Sequence, residues 1–293
     1  MNTKTKAYKL LLFLIIICVQ NGLQAQQRIV IPVKGGSTSD VKPQEKSFTF
    51  EPISTSRMLY NVTAPSLEIF EPTGSEIKDI AVLVIPGGAF QILAYEDEGV
   101  KIAKTFAERG YTAAALKYRL VQLEDENPME QLMRNIKDFA TLEEIMAPMV
   151  PLAIADGKEA MKYLKANASV LGFDADKVGV IGFSAGGTIS AAIALDKEVD
   201  PLFSALIYPY LNPVLEAEVP ASPSPLFIAV TQDDEYSFDI NSLKLYERWK
   251  SKNGLVDLRV FSRGQHGFAS KKQDLPVDHW LDSVFEWLSF LRY

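Results

Sequence analysis

Short, continuous apolar runs, each closed by a turn and followed by a helical pattern, constrain this chain more than any other feature. Residues 80–85 are the clearest case: six apolar residues in a row, ended by Pro86-Gly87-Gly88. A run that short and that unbroken predicts a strand covered on both faces. Residues 97–109 then carry Val100, Ile102, Ala103 and Phe106 on one helical face and stop at Gly110. The pattern recurs, with strands predicted at 112–118, 178–181, 205–208, 226–230 and 256–261. Helices are predicted at 154–168, 187–195, 239–251 and 276–291. Strand–helix alternation at this spacing requires parallel strands joined by crossover helices, so the expected class is α/β, a doubly wound, mostly parallel sheet. Shorter β-type runs near 48–50, 58–61 and 67–71 precede it. No Pro/Gly/Ser-rich linker divides the region, and 47–293 reads as a single domain.

Composition narrows the chemistry. The net charge is −7 and the pI about 5.1, with no basic stripe, which argues against a nucleic-acid partner. One cysteine, Cys18, allows neither an intramolecular disulfide nor a thiolate metal cluster. Two histidines, His266 and His279, are too few for a His-rich zinc site, which argues against a metal-dependent deacetylase. No metal and no cofactor is expected.

The N-terminus reads as an address. Lys4, Lys6 and Lys9 precede a ten-residue apolar run at 10–19, and Leu23-Gln24-Ala25 offers a small residue before a cut. Ten apolar residues are too few to span a bilayer, so no membrane attachment beyond a signal peptide at 1–25 is expected. A lipoprotein signal would need a small residue where Ile17 precedes Cys18. Cleavage after Ala25 would remove three lysines, leaving 268 residues at a net charge of −10. The expected location is the bacterial periplasm or the medium. Residues 26–46, polar and glycine-containing, read as a flexible leader.

The reactive group stands at a turn. Strand 178–181 runs into Gly182-Phe183-Ser184-Ala185-Gly186-Gly187, followed by a helix. A serine between glycines at a strand-to-helix turn is held with its hydroxyl exposed. A phosphate loop would want a lysine after the glycines, and Thr188-Ile189 stands there. A serine needs a base to take its proton. His266, in Gly264-Gln265-His266-Gly267-Phe268 after the last strand, is favoured over His279, which lies in a helical pattern. The base needs a carboxylate, and strand 226–230 ends in Asp233-Asp234. Asp234 is favoured, with Asp233 capping or bracing the turn. The chain order Ser184, Asp234, His266 is the one expected of this kind of sheet. Oxyanion donors are expected from the backbone of Gly87 and Gly88 and from Ala185. Residue chemistry alone reaches a serine acyl hydrolase.

Over about 58–293 the chain resembles the α/β-hydrolase superfamily, and within it the acetylxylan-esterase-like branch of carbohydrate esterases (the BD-FAE-like group). The stretches that carry the likeness are Ile85-Pro86-Gly87-Gly88-Ala89-Phe90, Leu116-Lys117-Tyr118-Arg119-Leu120, the strand and elbow from Asp176 to Gly187, Leu206-Ile207-Tyr208-Pro209, Asp233-Asp234 and Gly264-Gln265-His266-Gly267-Phe268. The resemblance implies deacylation of sugar esters, with a small ester or acetylated oligosaccharide as partner. Two departures stand out. A histidine that often follows the Ser-Ala-Gly-Gly run in the family is replaced by Thr188-Ile189. Residues 121–151 read as an insertion, whose stretch 129–146 has helical apolar spacing and is methionine-rich, either a lid over the site or an extra helix at the sheet edge. Rival readings are a peptidase or amidase of the same fold, a lipase, and a non-catalytic glycan-binding relative. A dienelactone-type hydrolase usually has cysteine at the elbow, and Ser184 argues against it.

Overall fold

The computed structural model describes residues 27–30, 45–50, 54–124 and 127–293. The predicted signal segment and most of the predicted leader lie outside them. The strands are β1 (Gln27–Val30), β2 (Lys46–Phe50), β3 (Ser54–Tyr60), β4 (Ser66–Phe70), β5 (Ala81–Ile85), β6 (Ile92–Leu93), β7 (Thr112–Lys117), β8 (Val178–Phe183), β9 (Ser204–Ile207), β10 (Leu226–Thr231) and β11 (Val256–Phe261). The helices are α1 (Lys101–Glu108), α2 (Pro128–Ile136), α3 (Phe139–Met146), α4 (Val150–Ala166), α5 (Ala168–Leu171), α6 (Ala185–Ala194), α7 (Phe238–Ser251) and α8 (Trp280–Phe290).

Eight strands form one sheet in the order β1-β4-β7-β5-β8-β9-β10-β11. β1 and β4 run antiparallel at one edge, and the six strands from β7 to β11 are parallel, as the alternation predicts. Of the predicted leader, residues 27–30 form the edge strand β1. The order turns back at β5, which has β7 on one side and β8 on the other. A crevice opens outside the carboxyl ends of strands at such a switch point. Register aligns these ends: Ile85 pairs with Gly182, and Phe183 with Ile207. β2, β3 and β6 form a small antiparallel sheet beside it.

Burial explains the apolar runs. Every residue of β5, β7, β8, β9 and β10 is buried. β11 is the edge and is half exposed, with Asp257 and Arg259 facing outward, a charge pattern that discourages strand addition. α8 closes one face: Trp280 meets Phe183 edge-on at 5.6 Å, and Trp287 packs on Phe203 and Phe227 at 5.9 and 5.5 Å. α4 and α6 approach so closely that a Cβ on Gly157 would overlap Ile189.

Three predicted helices differ in detail. The one predicted at 97–109 opens as a π-helical turn over Tyr95–Val100 before α1. The one predicted at 154–168 starts earlier, at Val150. The 129–146 segment divides in two, because Asp138 caps α3 by accepting from the Ala140 N–H and the Thr141 hydroxyl. A side chain that satisfies orphan N–H groups starts a new helix in preference to continuing the old one.

Candidate active site

β8 ends at Phe183 and α6 begins at Ala185, so Ser184 carries the whole change of direction. Its backbone sits at φ 49°, ψ −113°, a strained conformation for a residue with a side chain. The turn is possible because a Cβ on Gly182 would overlap Ser190 Oγ and the Gly186 carbonyl, and one on Gly186 would overlap the Ile85 carbonyl. The Ser184 N–H donates to the Ile207 carbonyl at 3.0 Å, and its carbonyl accepts from the Tyr210 and Thr188 N–H groups. Thr188, where a histidine often stands, donates its hydroxyl to the Tyr210 carbonyl.

The loop after β11 brings His266 to the serine, with Nε2 2.9 Å from Ser184 Oγ. Its Nδ1 lies 2.9 Å from Asp234 Oδ2. Asp234 is an acceptor, so Nδ1 carries the proton and Nε2 is free to accept from the serine. The Asp234 carboxylate is buried, and its other oxygen accepts from the Tyr236 N–H at 2.9 Å. Tyr208, Tyr236 and Phe238 present edge contacts to the imidazole at 4.9, 5.0 and 5.2 Å. The structure therefore brings Ser184, His266 and Asp234 into one hydrogen-bonded line. Asp233 stands apart and accepts from the Gln265 and Gly264 N–H groups at 2.8 and 3.2 Å. Burial opposes its ionisation, but these donors prevail and hold its carboxyl below the usual range. His279 lies exposed beside α8, facing Asp282.

The loop after β5 departs from expectation at one position. The Gly87 N–H donates to Glu98 Oε2 at 2.7 Å, so it is not available to an oxyanion. The Gly87 carbonyl accepts from the Ala94 N–H, and the Gly88 carbonyl from those of Gln91 and Ile92. In a trans peptide the following N–H points opposite to the carbonyl. The N–H groups of Gly88 and Ala89 are thus turned away from the loop interior, and both residues line the cavity over Ser184. Neither N–H meets an acceptor among the described residues. The Ala185 N–H, at the first turn of α6, has no intrahelical partner either. Of the expected donors, Gly87 is thus taken, while the N–H groups of Gly88 and Ala185, and that of the neighbouring Ala89, are left without an acceptor among the described residues.

The cavity holds about 330 Å³. One wall comes from α2 and α3, through Met129, Leu132, Ile136, Phe139, Leu142 and Met146. Tyr208, Tyr210, Tyr236 and Phe238 also line it, the last three in ring contact with Phe139. The part of the 121–151 segment that forms α2 and α3 lines the site. It is pinned there by Asn135, which donates to Gln91 at 2.7 Å, and by Glu143, which accepts from Tyr210 and Asn212 at 2.7 and 2.6 Å.

Sequence reasoning missed Ala89, Glu98 and Tyr208. Glu98 had a signal: it lies on the same helical stripe as Ile102 and Phe106, where a carboxylate is out of place. Burial pushes its carboxyl up, against the pull of the Tyr208 hydroxyl and the Gly87 N–H. Burial, reinforced by Glu98, keeps the Tyr208 phenol well above its ordinary range, so it remains a donor. Among the described residues no group of three or more His, Cys, Asp or Glu is placed to hold a metal ion. No helix among them is long and apolar enough to cross a membrane.

A sheet in this strand order, with a serine at the strand-to-helix turn beside the switch point, is the α/β-hydrolase fold. The chain belongs to the dienelactone hydrolase family, whose profile matches residues 68–287. A lactone is a cyclic ester, so the family's name describes ester chemistry. Ser184 had spoken against a dienelactone-type enzyme. Membership does not carry that activity to this chain, and Ser184 still stands where such an enzyme usually has cysteine. The chain is 21% identical over 240 residues to an acetylxylan esterase of Xylanibacter ruminicola, covering 71% of this chain and 45% of that protein. It therefore spans less than half the length of that relative. Among solved structures it is similar to an acetyl ester-xyloside bifunctional hydrolase from Caldicellulosiruptor lactoaceticus, with a TM-score of 0.64, 18% identity, and coverage of 91% of this chain and 96% of that one. It is also similar to MGS-M1, an α/β hydrolase enzyme from a Medee basin deep-sea metagenome library, with a TM-score of 0.61, 24% identity, and coverage of 83% and 96%. At these identities the structural likeness is one of fold.

Proposed function

We propose that the protein is an exported serine esterase that removes acetyl groups from small acetylated carbohydrates. The observation that carries the serine mechanism is the unbroken line Ser184–His266–Asp234, with both contacts at 2.9 Å. Ser184 Oγ attacks the ester carbonyl as His266 Nε2 takes its proton. Asp234 holds the tautomer and stabilises the imidazolium that forms. The N–H groups of Gly88, Ala89 and Ala185 receive the oxyanion. His266 returns the proton to the leaving alcohol, then takes one from the water that cleaves the acyl-enzyme.

Support for a sugar ester comes from the Xylanibacter relative and the Caldicellulosiruptor neighbour, whose names describe acetyl-ester and xylan chemistry. The apolar lining of the cavity favours a second reading, a general carboxylesterase for small aryl or alkyl esters. Export rests on the signal pattern at 1–25, which lies outside the described residues. The test is acetate release from acetylated xylo-oligosaccharides beside cleavage of 4-nitrophenyl acetate, each with wild type and Ser184→Ala. Release lost in the variant supports the sugar esterase. Serine-dependent cleavage of the aryl ester alone selects the second reading.

A further inference from the structure

The structure assigns Glu98 a positioning role, in which one buried carboxylate ties the loop that supplies the oxyanion donors to the loop that supplies the base. This inference rests on the serine mechanism proposed above.

Glu98 touches three segments that are far apart in sequence. Oε2 accepts from the Gly87 N–H at 2.7 Å, in the loop after β5. Oε1 accepts from the Tyr208 hydroxyl at 2.7 Å, at the end of β9. Oε1 also accepts from Ser270 at 3.3 Å, just beyond His266. Tyr208 adopts φ 39°, a region bulky residues avoid, and from there its ring meets the imidazole of His266 edge-on. Strain of this kind persists only where surrounding contacts over-determine it, and it gathers at functional sites. Ala89 and Ser184, which line the same cavity, share it. Glu98 itself sits in the π-helical turn, a local irregularity also typical of functional sites.

Three donors converge on the buried Glu98 carboxyl, so the group acts as an anchor. Fixing both the N–H and the carbonyl of Gly87 sets the peptide planes that follow. Those planes aim the Gly88 and Ala89 N–H groups at the space over Ser184. Without the anchor the donors lose their aim while the apolar walls that bind substrate stay in place.

Kinetics on 4-nitrophenyl acetate, with a boronic acid that becomes tetrahedral on Ser184 as transition-state mimic, tests this. Glu98→Ala is expected to lower kcat about 10- to 100-fold, somewhat less than removing an oxyanion donor outright. KM should stay within about threefold, and boronate affinity should fall in step with kcat. Glu98→Gln is expected to recover most of the loss, because its amide oxygen can still accept from Gly87 while its NH₂ faces hydroxyls that can turn to accept. Where Glu98→Ala does not yield folded protein, Glu98→Gln against Tyr208→Phe carries the same test, with a kcat loss expected only in the second. A kcat within twofold of wild type in folded Glu98→Ala overturns the inference. Equal losses in the alanine and glutamine variants, or a fall in KM-limited binding without a fall in kcat, overturn it as well. Activity that survives Ser184→Ala instead overturns the serine mechanism beneath it.

Discussion

The cavity has two walls built on opposite principles. The sheet wall is made of strand ends, where Ser184, Tyr208, Asp234 and His266 are each held by backbone geometry and by directed hydrogen bonds at or near 2.9 Å. The helical wall, α2 and α3, offers Met129, Leu132, Phe139 and Met146 and is held by apolar packing, by ring contacts of Phe139 and by hydrogen bonds of Asn135 and Glu143. Chemistry needs sub-ångström placement and sits on the rigid wall. Under the proposed function, selection among substrates would fall to the helical wall, which carries none of the proposed reacting atoms.

Substitutions can break this division. Ser184→Ala should have the largest effect, a loss of about 10⁴-fold or more in kcat on an aryl acetate, with any residue of activity coming from binding and the oxyanion donors. Asp234→Asn should lower kcat by roughly 10³-fold with little change in thermal stability, since it disturbs the tautomer of His266 and leaves the packing intact. On the helical wall Phe139→Ala should act differently. It opens the aromatic cluster formed with Tyr210, Tyr236 and Phe238, and should raise KM for aryl esters by about three- to tenfold at nearly constant kcat. A kcat loss for Phe139→Ala as deep as that of Asp234→Asn would mean that the two walls are not separate. Asp233→Asn should cost least, a few-fold in kcat through a looser His266 loop. Because the Asp233 carboxyl is held below its usual range, its support is present above about pH 4 and fades as pH falls through the lowered value. Thermal melts of wild type and Asp233→Asn should therefore converge in acid and diverge at neutral pH.

Much of the rigid wall was legible in the sequence. Residues 80–85 and 178–181 announce strands because both faces are covered, and the glycines at 182 and 186 announce the elbow because the turn tolerates no side chain. Nothing in the sequence separated Asp234 from Asp233; it is Asp234 that meets His266 in the structure. What was not legible depended on partners distant in the chain. Gly87 looked like a donor until Glu98, eleven residues on, took its N–H. The break between α2 and α3 came from Asp138, a capping residue hidden inside an apolar period. The edge exposure of β11 follows from the order of strands, which no local pattern encodes.

The 121–151 segment is anchored at both ends by contacts that do not involve its middle. At its start the Leu120 and Val121 N–H groups donate to the carbonyls of Val62 and Phe90, and Asn61 exchanges two hydrogen bonds with Leu123. Beyond its end, Arg119 grips Asp156 through a bidentate contact and reaches the Leu152 carbonyl. The frame is closed on itself whatever lies between these anchors. Descent with change can then exchange the stretch between them as a cassette, longer or shorter, greasy or polar, and give each descendant a new substrate while the machinery underneath is inherited intact.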